Sequence, residues 1–206
     1  MRESSTQYKK NIEIYRQVAL LHIEGINMGF LATLGLPFLT LLYEAIDRSP
    51  RSILIAVQDG DRVIGFVSGT SSMKPIYKQL LYRFPQLLYA LSPSLLNPRR
   101  LQRILEILRY SRSAPQREAQ VFPAFELLSI VVAPDVRGRG CAETLYKRLV
   151  QYCGSQGIDA FKIVVGDSLL PAHRFYKRMG AVACGRLELH KGEDSVIYVQ
   201  KIPRKE

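Results

Sequence analysis

The stretch Ser129-Ile-Val-Val-Ala-Pro-Asp-Val-Arg-Gly-Arg-Gly-Cys-Ala142 decides how this chain folds. Residues 130–132 are apolar and β-branched, which predicts a buried strand that ends at Pro134. An amphipathic helix is predicted next, with apolar positions Ala142, Leu145, Leu149 and Cys153. Strand, glycine-rich turn and helix together are typical of a phosphate site, because free N–H groups and the helix dipole converge at the helix start.

The turn itself has the residues that an anion site needs. Gly138 and Gly140 allow close approach of the backbone, and Arg137 and Arg139 supply guanidinium donors. The dinucleotide-binding fingerprint is excluded because Glu143 occupies its third glycine position, and the chain has no Gly-Lys-Ser/Thr run of a P-loop.

Composition predicts a single globular domain over residues 1–206, with 47% hydrophobic residues and a net charge of +11. That charge favours an anionic ligand or surface: CoA phosphates, a nucleotide-linked substrate, nucleic acid or an anionic membrane. The three cysteines have no metal-binding or disulfide spacing, and we find no apolar leader or spanning run. We therefore expect a cytoplasmic protein without a metal.

Residue patterns predict the elements on either side of the turn. Residues 12–19 alternate as a first strand, and 20–46 indicate two helices around a glycine-rich turn. Further strands are predicted at 52–57, 62–69, 124–132, 159–165, 185–190 and 195–202, and a helix at 171–179.

Residues 74–114 indicate a basic helical insertion after the third predicted strand, interrupted at Pro85, Pro93 and Pro98. It carries eight lysines and arginines against one acid, Glu106. Four interpretations stay open: a packed scaffold, an acceptor-site lid, a membrane contact, and, least favoured, a nucleic-acid surface.

Two motifs resemble the GNAT superfamily of N-acetyltransferases. Arg137, Gly140 and Ala142 occupy the fixed positions of its acyl-CoA pyrophosphate loop, and the helix at 172–180 is similar to its tyrosine helix. The resemblance covers residues 125–180 and implies an α/β fold in which helices flank a mixed, twisted sheet. One departure is Leu169, since many members have asparagine seven residues before the tyrosine.

The resemblance also implies a site for acetyl-CoA and an amine. Tyr176 would protonate the leaving thiolate, and Glu126 or an ordered water would accept the amine proton; His22 and His173 are alternatives without motif support. The turn residues Asn27, Met28, Gly29 and Phe30 would face the acceptor. The cofactor-binding residues would be Ile130, Val131, Val132, Arg137, Gly138, Arg139, Gly140, Cys141 and Ala142.

The predicted activity is transfer of an acetyl group from acetyl-CoA to an amine acceptor. The positive charge favours a small anionic or nucleotide-linked amino compound. The alternative is a non-catalytic acyl-CoA-binding module, or a membrane- or protein-docking module, on the same scaffold. A homodimer is left open.

Overall fold

The computed structural model describes residues 5–26, 30–95, 122–190 and 193–203. Its helices are α1 (Ser5–Gly25), a 3-10 helix (Phe30–Leu34), α2 (Leu36–Arg48), α3 (Met73–Tyr82), α4 (Phe84–Leu95), α5 (Cys141–Ser155) and α6 (Leu170–Arg178), with a short 3-10 turn at Pro134–Val136. Its strands are β1 (Ser52–Asp59), β2 (Arg62–Thr70), β3 (Phe125–Val132), β4 (Ala160–Gly166), β5 (Val182–His190) and β6 (Glu193–Lys201).

The six strands form one mixed sheet in the order β1-β2-β3-β4-β6-β5. Neighbouring strands are antiparallel except β3 and β4, which run parallel at the centre. The predicted α/β class, with helices flanking a mixed sheet, is confirmed.

Two buried clusters lie on opposite faces of this sheet. Helices α1 and α2 cover one face, and the buried residues there include Val18, Leu39, Tyr43, Phe66 and Val131. Helices α5 and α6 cover the other, and the buried residues there include Phe125, Leu145, Leu149, Ile163 and Tyr198.

The predicted strand at 12–19 is wrong, because these residues lie within α1. Tyr15, Val18, Ala19 and His22 are all buried, and a spacing of three and four residues is the period of a helix. The insertion consequently follows the second strand of the sheet rather than a third.

The predicted insertion is helical in its first part, where α3 and α4 pack against α2. Arg83 separates the two helices, so the expected break beside Pro85 is confirmed. The break expected at Pro93 is wrong, since α4 continues through it. Pro93 has no N–H to donate to the Tyr89 carbonyl four residues earlier, and the Ser92 hydroxyl donates to that carbonyl instead. Residues 96–114, including Pro98, lie outside the described residues.

Candidate active site

The two central strands, β3 and β4, separate partway along their length, beside the candidate site. β3 and β4 pair over three residues only, ending at Leu127 and Ile163. Beyond that point β3 stays paired with β2, whereas β4 stays paired with β6. The β4-facing edge of residues 128–132 therefore has no strand partner among the described residues. This unpaired edge includes Ile130, Val131 and Val132, which are predicted to bind the cofactor.

A β-bulge accompanies this separation. Ser68 pairs with Ser129 and Gly69 pairs with Leu127, so Leu128 is an extra residue in β3. Bulges bend a strand and increase its local twist, and they are common beside active sites. The bulge explains in physical terms why β3 turns away from β4 at this position.

The glycine turn after β3 forms an open anion cradle at the start of α5. Gly138 and Gly140 have positive φ angles of 77° and 78°, a conformation that favours glycine. A Cβ atom added to either residue would meet nothing within 4 Å. The space that a side chain would fill is thus left for a ligand.

Backbone donors point into this cradle from the first turn of α5. The first helical bond runs from the Thr144 N–H to the Gly140 carbonyl at 3.0 Å, so the N–H groups before Thr144 have no partner within the helix. The Glu143 carboxylate accepts hydrogen bonds from its own backbone N–H and from the Arg178 guanidinium, and both bonds lower the pKa of Glu143. The N–H groups of Cys141 and Ala142 remain for an anion.

The side chains around the cradle add positive charge. Arg137 and Arg139 are exposed, and Arg137 Nε donates to the Val132 carbonyl at 3.3 Å. Burial raises the pKa of the Cys141 thiol, so this residue brings no negative charge to the helix start. The geometry fits the pyrophosphate of a nucleotide ligand.

An ion pair that the sequence analysis missed holds the turn onto β2. Arg62 donates two hydrogen bonds to the Asp135 carboxylate, at 2.8 and 2.9 Å, and lowers its pKa. No pattern in the sequence connects these residues, because they are 73 positions apart.

Tyr176 lies on the α5 and α6 face, close to the point where the strands separate. Its side chain is buried and packs on the rings of Tyr146, at 6.1 Å, and Tyr198, at 6.3 Å. Tyr198 pairs with Ile163, the last β4 residue that pairs with β3. No described residue hydrogen-bonds the Tyr176 phenol, and burial raises its pKa, so it carries its proton at neutral pH.

His173 has a structural role in this geometry. Its Nε2 lies 3.1 Å from the Gly166 carbonyl, which can only accept, and its Nδ1 lies 2.8 Å from the Tyr198 hydroxyl. The ring therefore donates through Nε2 and accepts through Nδ1. With both nitrogens engaged, His173 ties α6 to β4 and β6 and is poorly suited to act as a base.

Glu126 lies on the opposite face of the sheet from Tyr176. Phe125 and Leu127 face α5, so alternation directs Glu126 to the α1 and α2 side. It is about one-third exposed, and its carboxylate lies 3.4 Å from the Lys162 ammonium of β4. The structure does not bring Glu126 and Tyr176 into contact; they lie on opposite faces of the sheet, near the point where β3 and β4 separate.

His22 belongs to a buried polar cluster beneath α1 and α2. Its Nδ1 lies 2.6 Å from the Tyr43 hydroxyl, and Ser129 at the bulge also hydrogen-bonds Tyr43. Burial lowers the pKa of His22 to about 4, so a neutral ring is held in place. A buried network of this kind, absent from the sequence motifs, connects α1 to the bulge of β3.

The predicted acceptor residues are described only in part. Asn27, Met28 and Gly29 lie outside the described residues. Phe30 begins the 3-10 helix and packs against the cluster under α1 and α2. Leu169 is half exposed at the start of α6 and offers only backbone groups. Within the described ranges, no group of three or more potential ligands could hold a metal ion.

Comparisons with known proteins bear on the family and the fold of the chain. The profile of the acetyltransferase (GNAT) family matches residues 104–181. A comparison with curated proteins gives no match.

Solved structures with the same fold share little sequence with this chain. A putative GNAT acetyltransferase from Desulfovibrio desulfuricans is 16% identical, with a TM-score of 0.56 over 91% of this chain and 94% of that one. An aminoglycoside 6'-N-acetyltransferase complexed with coenzyme A is 13% identical, with a TM-score of 0.57 over 92% of each chain. An N-acetyltransferase from Staphylococcus aureus is 13% identical, with a TM-score of 0.55 over 90% and 92%.

Proposed function

We propose that the chain transfers the acetyl group of acetyl-CoA to an amine, because residues 104–181 match the profile of the acetyltransferase (GNAT) family and the chain shares the fold of solved acetyltransferases. One observation carries the proposal: the separated ends of β3 and β4 lie directly before an open cradle of backbone donors. Such an arrangement suits an extended thioester whose pyrophosphate binds at residues 137–142. We also propose that residues 1–206 form one domain, because both buried clusters share a single sheet.

In the proposed reaction, the neutral amine attacks the carbonyl carbon of the thioester and the C–S bond breaks. The amine proton leaves to Glu126 directly or through water, and the Tyr176 phenol donates its proton to the leaving thiolate. Solvent then exchanges protons with both groups and restores them. Burial raises the pKa of Tyr176 and so keeps its phenol protonated, which a proton donor requires at the start of each cycle.

The Glu126–Lys162 pair suits an acceptor site on the α1 and α2 side. The two groups lie 3.4 Å apart and are both partly accessible to solvent, so an amine can reach the carboxylate. For the acceptor we propose a small anionic amino compound, because the net charge of +11 attracts anions.

The decisive experiment incubates the protein with acetyl-CoA and a panel of amines, including nucleotide-linked amino sugars, and detects acetylated products by mass spectrometry. Mass detection is preferable to thiol reagents because Cys184 is exposed and would react. We expect product with at least one amine. Stabilisation by acetyl-CoA without any product would instead indicate an acyl-CoA-binding module, and the absence of both stabilisation and product would refute the proposal.

A further inference from the structure

Helices α3 and α4 form a fixed platform on the outside of α2. Ile76, Leu80 and Ala90 are buried in the cluster under α1 and α2. The buried Glu44 carboxylate of α2 pairs with Arg83, the residue that joins the two helices. The inner sides of both helices are therefore anchored by apolar packing and by a charged hydrogen bond.

The outer sides of the same helices expose large apolar side chains. The α3–α4 patch consists of Leu81, Tyr82, Phe84, Leu88 and Tyr89, with exposed fractions of 62%, 71%, 57%, 49% and 78%. They flank Arg83 in the sequence, at the last turn of α3 and the first two turns of α4. Exposed apolar side chains clustered in this way indicate an interaction surface, whereas single exposed ones are ordinary.

Positive charge borders the patch. Lys74 and Lys78 are exposed on α3, and the Lys78 ammonium lies 5.6 Å from the centre of the Tyr82 ring. The sequence contains no aspartate or glutamate between Asp61 and Glu106. The apolar patch and its cationic border thus complement a partner that has anionic groups at its surface and an apolar layer below them.

We propose that the α3–α4 patch docks the protein onto membranes that contain anionic lipid. The leucines and aromatic rings enter the interfacial region, and the two lysines lie among the lipid phosphates. The docking that we propose is peripheral. No helix among the described ranges is long and apolar enough to span a bilayer. A second copy is a poorer occupant, because a two-fold contact would bring like charges of the two patches together. The proposal does not depend on the acetyl-transfer activity.

Vesicle flotation tests it directly, with phosphatidylcholine vesicles compared with vesicles that also contain phosphatidylglycerol. We expect the full chain to float with the anionic vesicles only, and less at high salt. Each charge removed by Lys74→Gln or Lys78→Gln is expected to lower partitioning about fivefold. The double substitution Leu81→Glu and Phe84→Glu is expected to lower partitioning more than tenfold, because it removes apolar contact comparable to that of a short apolar anchor.

Val182→Glu is the matched control, because Val182 is 63% exposed on β5, away from the α3–α4 patch. It is expected to float like the unmodified chain, and thermal unfolding checks that every variant is folded. Equal flotation of the patch variants and the control overturns the proposal. Failure of the unmodified chain to float also overturns it. The same holds if light scattering shows a dimer that the patch substitutions convert to a monomer, while the unmodified chain does not bind vesicles.

Discussion

Replacement of Gly140 by aspartate separates ligand binding from folding at the anion cradle. Gly140 has a φ of 78°, and an added Cβ atom would meet nothing within 4 Å. The cost to the folded chain is therefore mainly the left-handed backbone, about 1 kcal/mol for a residue that tolerates it. For a chain of 206 residues, that lowers the Tm by roughly 2–4 °C.

The expected effect on acetyl-CoA is much larger, because the new carboxylate lies where the pyrophosphate would bind. Two unit charges 4 Å apart repel by about 4 kcal/mol at the effective dielectric constant near a protein surface. Two thirds of that value already lowers the affinity about a hundredfold. The added side chain also occupies the space that the glycine leaves open.

The assay is thermal unfolding with and without acetyl-CoA. At about a hundred times its Kd, the ligand stabilises the unmodified fold by roughly 2.7 kcal/mol, which raises the Tm by roughly 5–10 °C. Gly140→Asp is expected to reduce this rise to about 1–2 °C or less, because a hundredfold weaker affinity leaves only about 0.4 kcal/mol of stabilisation at the same ligand concentration. Gly157→Asp is the control, since Gly157 also has a positive φ, of 67°, and open space, but follows the far end of α5. An undiminished rise in Gly140→Asp would refute the pyrophosphate assignment.

Three further predictions test the reacting groups and the buried network. Tyr176→Phe is expected to lower kcat about a hundredfold with little change in acetyl-CoA affinity, because only a proton donor is lost; steady-state kinetics measures both. Glu126→Gln is expected to lower kcat by a similar factor. Lys162→Met, which removes the ion-pair partner of Glu126, is expected to keep most of the kcat of the unmodified chain. For His22, the pKa is lowered from 6.5 to about 4 in the folded protein, so below pH 6.5 the unfolded chain binds a proton that the folded chain does not. Through His22, the free energy of unfolding is therefore expected to fall by about 3 kcal/mol as the pH drops from 7 to 4. Denaturant titrations at both pH values are expected to show that His22→Gln lacks this contribution to the pH dependence.

Each of these has its own control. Tyr146→Phe removes a phenol that donates to Gln200 and has no proposed role in the reaction, so its kcat is expected to stay near normal. An unchanged kcat in Tyr176→Phe would exclude this tyrosine as the acid. Equal losses in Glu126→Gln and Lys162→Met would indicate a structural ion pair instead of a base. Identical pH slopes with and without His22 would contradict a neutral buried histidine.

The sequence alone predicted those features whose causes are local. The glycine turn, the start of α5 and the strands at 52–57 and 62–69, which correspond to β1 and β2, depend on residues within a few positions of one another. Local patterns also misled at 12–19, where the spacing of apolar residues fits a strand over a short window and a helix over a longer one. Only packing of α1 against the sheet decides between these periods.

Other features depend on residues far apart in the chain, and no local pattern specifies them. Where β3 and β4 separate depends on a bulge and on different partners for each strand. The Arg62–Asp135 pair, the Glu126–Lys162 pair and the contact of Tyr43 with His22 and Ser129 arise only once the sheet and helices have packed. The sequence by itself determined which chemical groups are available, because short-range backbone preferences and helix starts follow from neighbouring residues. Their arrangement around the strand separation was decided by the tertiary structure, because it depends on how distant segments share one core.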